Sequence, residues 1–127
     1  MKHILIVCLC LSTPAFAEDF ASRVAEAKRA SSTAQGRKYD HALGPAIGAA
    51  IRACVPPGST SDANFGDFVL VGYVARSGAI SSVEVMPKTE VSVCFGAQFE
   101  QARLPPPPAY GDSPQGFPIV VEMSIRP

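Results

Sequence analysis

The stretch Phe68-Val69-Leu70-Val71-Gly72-Tyr73-Val74-Ala75-Arg76-Ser77-Gly78-Ala79-Ile80-Ser81-Ser82-Val83-Glu84-Val85-Met86 decides the fold. Phe68 to Ala75 is rich in β-branched and aromatic residues, which suit a pleated surface, and reads as one strand. Arg76-Ser77-Gly78-Ala79 marks a tight turn. From Ile80 to Met86, Val83 and Val85 alternate with Ser82 and Glu84, the period-2 signature of a second strand. Together these segments make a β-hairpin.

Outward from the hairpin, periodicity changes. On its N-terminal side Leu43, Ile47, Ile51 and Cys54 recur at helical spacing and form one stripe, so a helix is expected from about Tyr39 or Pro45 to Val55. Pro56-Pro57-Gly58 ends it, because proline cannot continue the hydrogen-bond ladder. On the C-terminal side, Pro87 closes the hairpin and Thr89 can cap a helix running to about Arg103, with Val91, Cys94 or Phe95, Phe99 and Ala102 on its apolar face. Leu104-Pro105-Pro106-Pro107-Pro108 must leave that helix and run extended. The chain closes with Phe117, Ile119, Val121, Met123 and Ile125 alternating with Val120, Glu122, Ser124 and Arg126, the cleanest strand pattern present. Helix, strand, strand, helix, strand gives an α+β class with a three-stranded antiparallel sheet and two helices packed on one face.

The N-terminus carries the three parts of a secretory signal. Lys2 and His3 are basic, Ile4 to Leu11 are eight apolar residues, and Ala15-Phe16-Ala17 offers small residues for cleavage before Glu18. Eight is far below the roughly 20 residues a spanning helix needs, so no stable membrane insertion is expected. Retention as an N-terminal anchor, or acylation at Cys8 or Cys10, are the competing fates. The expected division is a signal peptide at 1–17, a helical arm and linker at 18–38, and the α+β domain at 39–127. The arm is a weak helix from Glu18 to about Ser32, followed by Ser31 to Gly36 as a linker that would leave it loosely attached.

Cleavage would leave 110 residues, one domain by size. Loss of Lys2 leaves ten Lys and Arg against eleven Asp and Glu. Near-neutral charge argues against nucleic acid, whose partners carry a basic face. Two cysteines remain, Cys54 and Cys94. In an exported chain such a pair reads as one disulfide, the alternative being two buried thiols. Helices lying side by side on one face of the sheet could bring them together.

Catalytic and metal-binding constellations are not expected, and neither is a cofactor. The one histidine of the mature chain, His41, has neither a Gly-x-Ser-x-Gly elbow nor zinc-ligand spacing near it. Asp62, Asp67, Glu84, Glu90, Glu100, Asp112 and Glu122 are scattered, with no acid–base dyad. The four prolines read either as a docking segment or as a stiff connector that aims the last strand, the connector being preferred.

The hairpin Val71 to Val85, the helix after it, the break Leu104-Pro105-Pro106-Pro107 and the final strand Phe117 to Ile125 resemble the TonB C-terminal superfamily. Cys54 before the hairpin and Cys94 in the following helix look most like its AgmX/PglI C-terminal branch. The resemblance covers about residues 39 to 127. It implies a protein-binding module that adds a partner's segment to a sheet edge, with candidate contacts Ile119, Val121, Glu122, Met123, Ser124 and Ile125. Energy-transducing members keep a membrane anchor and a long spacer, whereas a cleavable signal and a short arm are expected here. The expected function is therefore binding of a cell-envelope protein in the periplasm, with self-association through the same edge also open. The alternative is an immunity or inhibitor protein presenting Gly58 to Gly66 or Tyr110 to Gly116 to a toxin or hydrolase.

Overall fold

A computed structural model describes residues 19–59, 65–111 and 113–126. The signal sequence expected at 1–17, Asp62, Asp112 and most of the Gly58–Gly66 loop lie outside the described residues.

The element order is α1 (Phe20–Ser31), α2 (Ala34–Ala42), α3 (Gly44–Cys54), β1 (Gly66–Val74), β2 (Ile80–Met86), α4 (Glu90–Gln101) and β3 (Phe117–Ile125). The strands form one antiparallel sheet in the order β2-β1-β3. The class is α+β, with α3 and α4 together on one face, as the periodicity indicates. In β1, Phe68, Leu70 and Val74 point to that face and join a core with Leu43, Ala50, Val91, Phe95 and Phe99. Phe95 is fully buried between the rings of Phe68 and Phe99, with centroids at 5.2 and 5.1 Å. Cys54, ending α3, and Cys94 of α4 are joined, with Cα atoms 5.8 Å apart.

Thr89 caps α4 as its side chain predicts. It accepts from the Ser92 amide, while the Ser92 hydroxyl accepts from the Thr89 amide, a reciprocal box at the helix start. Ser92 is fully buried, and its hydroxyl also donates to the Pro87 carbonyl. A polar side chain is thus seated without an unmet bond.

The expectation of a loosely attached arm is not met, because α1 lies across the second face of the sheet. β1 is buried on both sides: Val71 and Tyr73 are 1% and 4% exposed although they point away from α3 and α4. On this side α1 buries the small residue Ala27, which lets helix and sheet approach closely, and Ala30 at its end joins the main core. Arg23, only 9% exposed, holds its guanidinium 5.0 Å above the Tyr73 ring. It donates to Glu84 at 3.2 Å and to the Ser82 carbonyl at 2.5 Å. Ser82 has a φ of 53°, left-handed for a non-glycine residue, at the place where β2 bulges against β1 between Val71 and Tyr73. The arginine therefore caps an irregular carbonyl that regular pairing would leave unbonded. Lys28 reaches Glu122 at 2.8 Å, but both side chains are more than half exposed and the pair adds little.

Nor is Ser31 to Gly36 a linker. Ser31 and Ser32 donate back to Lys28 and Arg29 carbonyls at the end of α1, and Thr33 accepts from the Gly36 amide to start α2. A β-carbon at Gly36 would lie 2.0 Å from the Ala30 carbonyl oxygen, so only glycine permits this corner. Of the two starts expected for the helix ending near Val55, the one at Pro45 is met, since α3 begins at Gly44; Tyr39 belongs to a separate helix, α2, which ends at Ala42.

The prolines behave as a connector. Leu104 donates its amide to the Gly78 carbonyl at 3.0 Å, and Tyr39 donates its hydroxyl to the Pro105 carbonyl at 2.8 Å. Tyr39 and Tyr110 both pack edge-on against Phe117, which opens β3, at 5.3 and 5.7 Å. The strap is thus tied at the hairpin turn and at α2 and delivers the chain into the last strand. Burial pushes the Tyr39 phenol up to about 12. An unfolded tyrosine loses its proton near pH ~10, so between these values the unfolded state holds fewer protons and stability falls as pH rises. Alkaline titration followed by tyrosinate absorbance should show a late phase that shrinks by one residue in Tyr39→Phe. An unchanged late phase would contradict the burial account.

Candidate sheet-edge binding site

β3 occupies one border of the sheet. Over nine residues it pairs with β1 without a break, from Gly66↔Ile125 to Val74↔Phe117. Pro118 stands opposite Tyr73. Proline has no amide hydrogen, so this cannot be a directly bonded pair, and the backbone groups at Pro118 must point away from β1. Alternation then assigns the rest. Phe117, Ile119, Val121, Met123 and Ile125 bond to β1, while Val120, Glu122 and Ser124 turn their N–H and C=O groups to the open side.

The side chains sort in the same way. Ile119, Val121 and Ile125 are 3%, 5% and 8% exposed and belong to the core, and Met123 is half-buried against it. Glu122 and Ser124 are exposed. Of the six candidate residues, only these two combine outward backbone groups with exposed side chains, which here pair with Lys28 and Asp67. The other four build the wall behind them.

One exposed ion pair and one side-chain hydrogen bond lie at this end of the strand. The Asp67 carboxylate accepts from the Ser124 hydroxyl at 2.8 Å and from Arg126 at 2.7 Å. The bond from Ser124, helped by Arg126, holds the Asp67 carboxyl below its usual range. Beside the edge, on the face α1 crosses, a hollow of about 550 Å³ is lined by Val69, Met86, Pro87, Glu122, Met123 and Ser124. Met86 is 45% exposed there, an unusual exposure for a large apolar side chain.

The other border is built differently. β2 carries the bulge, the left-handed Ser82 and the Arg23 cap on its carbonyl, and it runs into Pro87. Bulges, prolines and charged side chains are devices that keep an edge from pairing. Along β3 there is no bulge, and the devices present are Pro118, at the strand's second residue, and the charged side chain of Glu122.

The residues sequence reasoning missed are Arg23 and Tyr73, which fix α1 over the sheet. A signal was present: the unbroken apolar run Phe68 to Val74 is what a strand buried on both faces looks like. His41 lies exposed in the last turn of α2, beside Asp40, whose carboxyl burial raises. Among the described residues no cluster of His, Cys, Asp and Glu could hold a metal ion, and no helix is long and apolar enough to cross a membrane. Comparison with protein-family models, with curated proteins and with solved structures finds no match to this chain.

Proposed function

We propose that this chain is a protein-binding module of the bacterial cell envelope that takes an extended segment of another protein onto the open edge of β3. The carrying observation is the contrast between the two borders: nine regular residues at β3 against a bulged, arginine-capped β2. An added strand would bond to the outward groups of Val120, Glu122 and Ser124, with specificity from alternate side chains beside Glu122 and over Met123. The disulfide and the N-terminal signal pattern support export to the periplasm, with processing before Glu18. The resemblance to the TonB C-terminal superfamily supports the same mode of engagement, with a bound envelope protein and no motor coupling.

The test uses the exported chain as bait in an oxidising envelope extract, with Glu122→Pro and Glu122→Ala beside the native protein. Proline at 122 deletes an outward amide, as Pro118 already does, and leaves the β1 ladder intact. Capture should fail in Glu122→Pro and persist in Glu122→Ala, with both variants folded by circular dichroism. Retention of the same partner by Glu122→Pro would refute strand addition. A single hydrolase held equally by both variants would favour an inhibitor acting through its loops.

A further inference from the structure

Where the hairpin turn, the proline strap and the loop before β3 meet, a cleft of about 360 Å³ opens. No residue of the open half of β3 lines it, so it is separate from the proposed strand-binding edge. Its walls include Pro107, Pro108 and Phe117, which are apolar, and its polar groups include Arg76, Tyr110 and Ser113.

Arg76 stands out among the arginines. The guanidinium of Arg23 is buried against Glu84 and Tyr73, and Arg126 is paired with Asp67. Arg76 lines a concave site yet makes neither an ion pair nor a hydrogen bond among the described residues. Tyr110 is half-buried, its ring fixed edge-on to Phe117 at 5.7 Å, and its hydroxyl likewise has no hydrogen-bond partner among them. Among the described residues, one planar fork of donors and one phenol without a partner thus border the half-buried rings of Pro107 and Pro108.

We propose that this cleft binds a carboxylate carried on an apolar group. A guanidinium matches the two oxygens of a carboxylate in a bidentate pair. The Tyr110 hydroxyl can donate a further bond, and the faces of Pro107 and Pro108 take the apolar body. At roughly 30 Å³ per displaced water, the volume corresponds to about a dozen waters, which suits one or two amino-acid residues. The C-terminal end of a peptide with an apolar last residue and a free aromatic or aliphatic acid share this chemistry.

The deciding experiment is a two-dimensional amide NMR titration of the exported chain with three probes: acetyl-prolyl-phenylalanine as the free acid, the same dipeptide as its C-terminal amide, and 3-phenylpropionate. The free acid should shift the amides of Arg76, Tyr110 and Gly116 saturably, and the amide should bind about tenfold more weakly or worse. Arg76→Gln should lose the same factor, and because Arg76 is exposed and has no partner among the described residues, its spectrum elsewhere should stay native. Equal binding of 3-phenylpropionate and the peptide acid would assign a free small acid, and binding of the peptide acid alone would assign a chain terminus. No saturable shift up to about 10 mM, equal affinity for acid and amide, or undiminished binding in a folded Arg76→Gln would each overturn the proposal.

Discussion

Replacing Cys54 or Cys94 by serine is expected to lower stability by about 4 kcal/mol, and replacing both should cost no more than either alone. The two are 40 residues apart in sequence. On the chain-entropy account, closing a loop of that length removes roughly 4 kcal/mol of freedom from the unfolded ensemble. Either single change removes the whole cross-link, which is why the effects should not add. The location makes the effect visible. Cys54 is the last residue of α3, and the bond to Cys94 ties α3 to α4 over the face holding Leu70 and Phe95. For a domain of this size 4 kcal/mol corresponds to roughly 15 °C in Tm. Urea denaturation of the oxidised protein, repeated with reductant, checks the claim: the reduced native protein should match both variants. Titration of two reactive thiols in the unreduced protein would remove the cross-link from the account.

Phe95→Ala should be comparably costly, about 4 kcal/mol, while Phe95→Leu should lose roughly a third of that. The side chain is fully buried where α4 crosses the sheet, between Phe68 of β1 and Phe99 of its own helix. Alanine there removes two ring contacts and leaves a cavity that the covalently tied α3 and α4 cannot collapse to fill. Chemical denaturation of both variants in the disulfide-bonded state tests this. A loss below about 1 kcal/mol for Phe95→Ala would show that the α4–sheet contact is not the centre of the core. Because Phe95 adjoins Cys94, the two sets of changes should couple when combined, with the cavity costing less once α3 is free to move.

Much of the architecture was legible because the residues obey simple periods. Alternation over Phe117 to Ile125 marks a strand with one face in the core, and Ile119, Val121 and Ile125 are buried as that pattern requires. The stripes ending at Cys54 and passing through Val91, Phe95 and Phe99 mark two helices that share a face, and their cysteines meet. Thr89 as a cap and the prolines as a strap follow from local chemistry alone.

The second face of the sheet was not legible, for a physical reason. Helix α1 is held there by small residues and a buried arginine. Ala27 and Ala30 carry almost no apolar period, and Arg23 reads as a solvated charge until Tyr73, Glu84 and the Ser82 carbonyl are placed around it. Likewise Ser31 to Gly36 has the composition of a loop, yet its hydroxyls are spent on helix ends. The binding edge divides along the same line. That β3 ends the chain as a strand is written in its alternation and in Pro118. That it lies at a border, with Val120, Glu122 and Ser124 turned outward, depends on which strand pairs with which, and long-range pairing is set by the packed core and not by any local period. By itself the sequence determined the three strands, the helices α3 and α4 with their apolar faces, and the cysteine pair. Only the tertiary structure decided which edge is open, which is closed by Arg23, and that the N-terminal helix belongs to the domain, because each of these rests on groups distant in sequence meeting across the sheet.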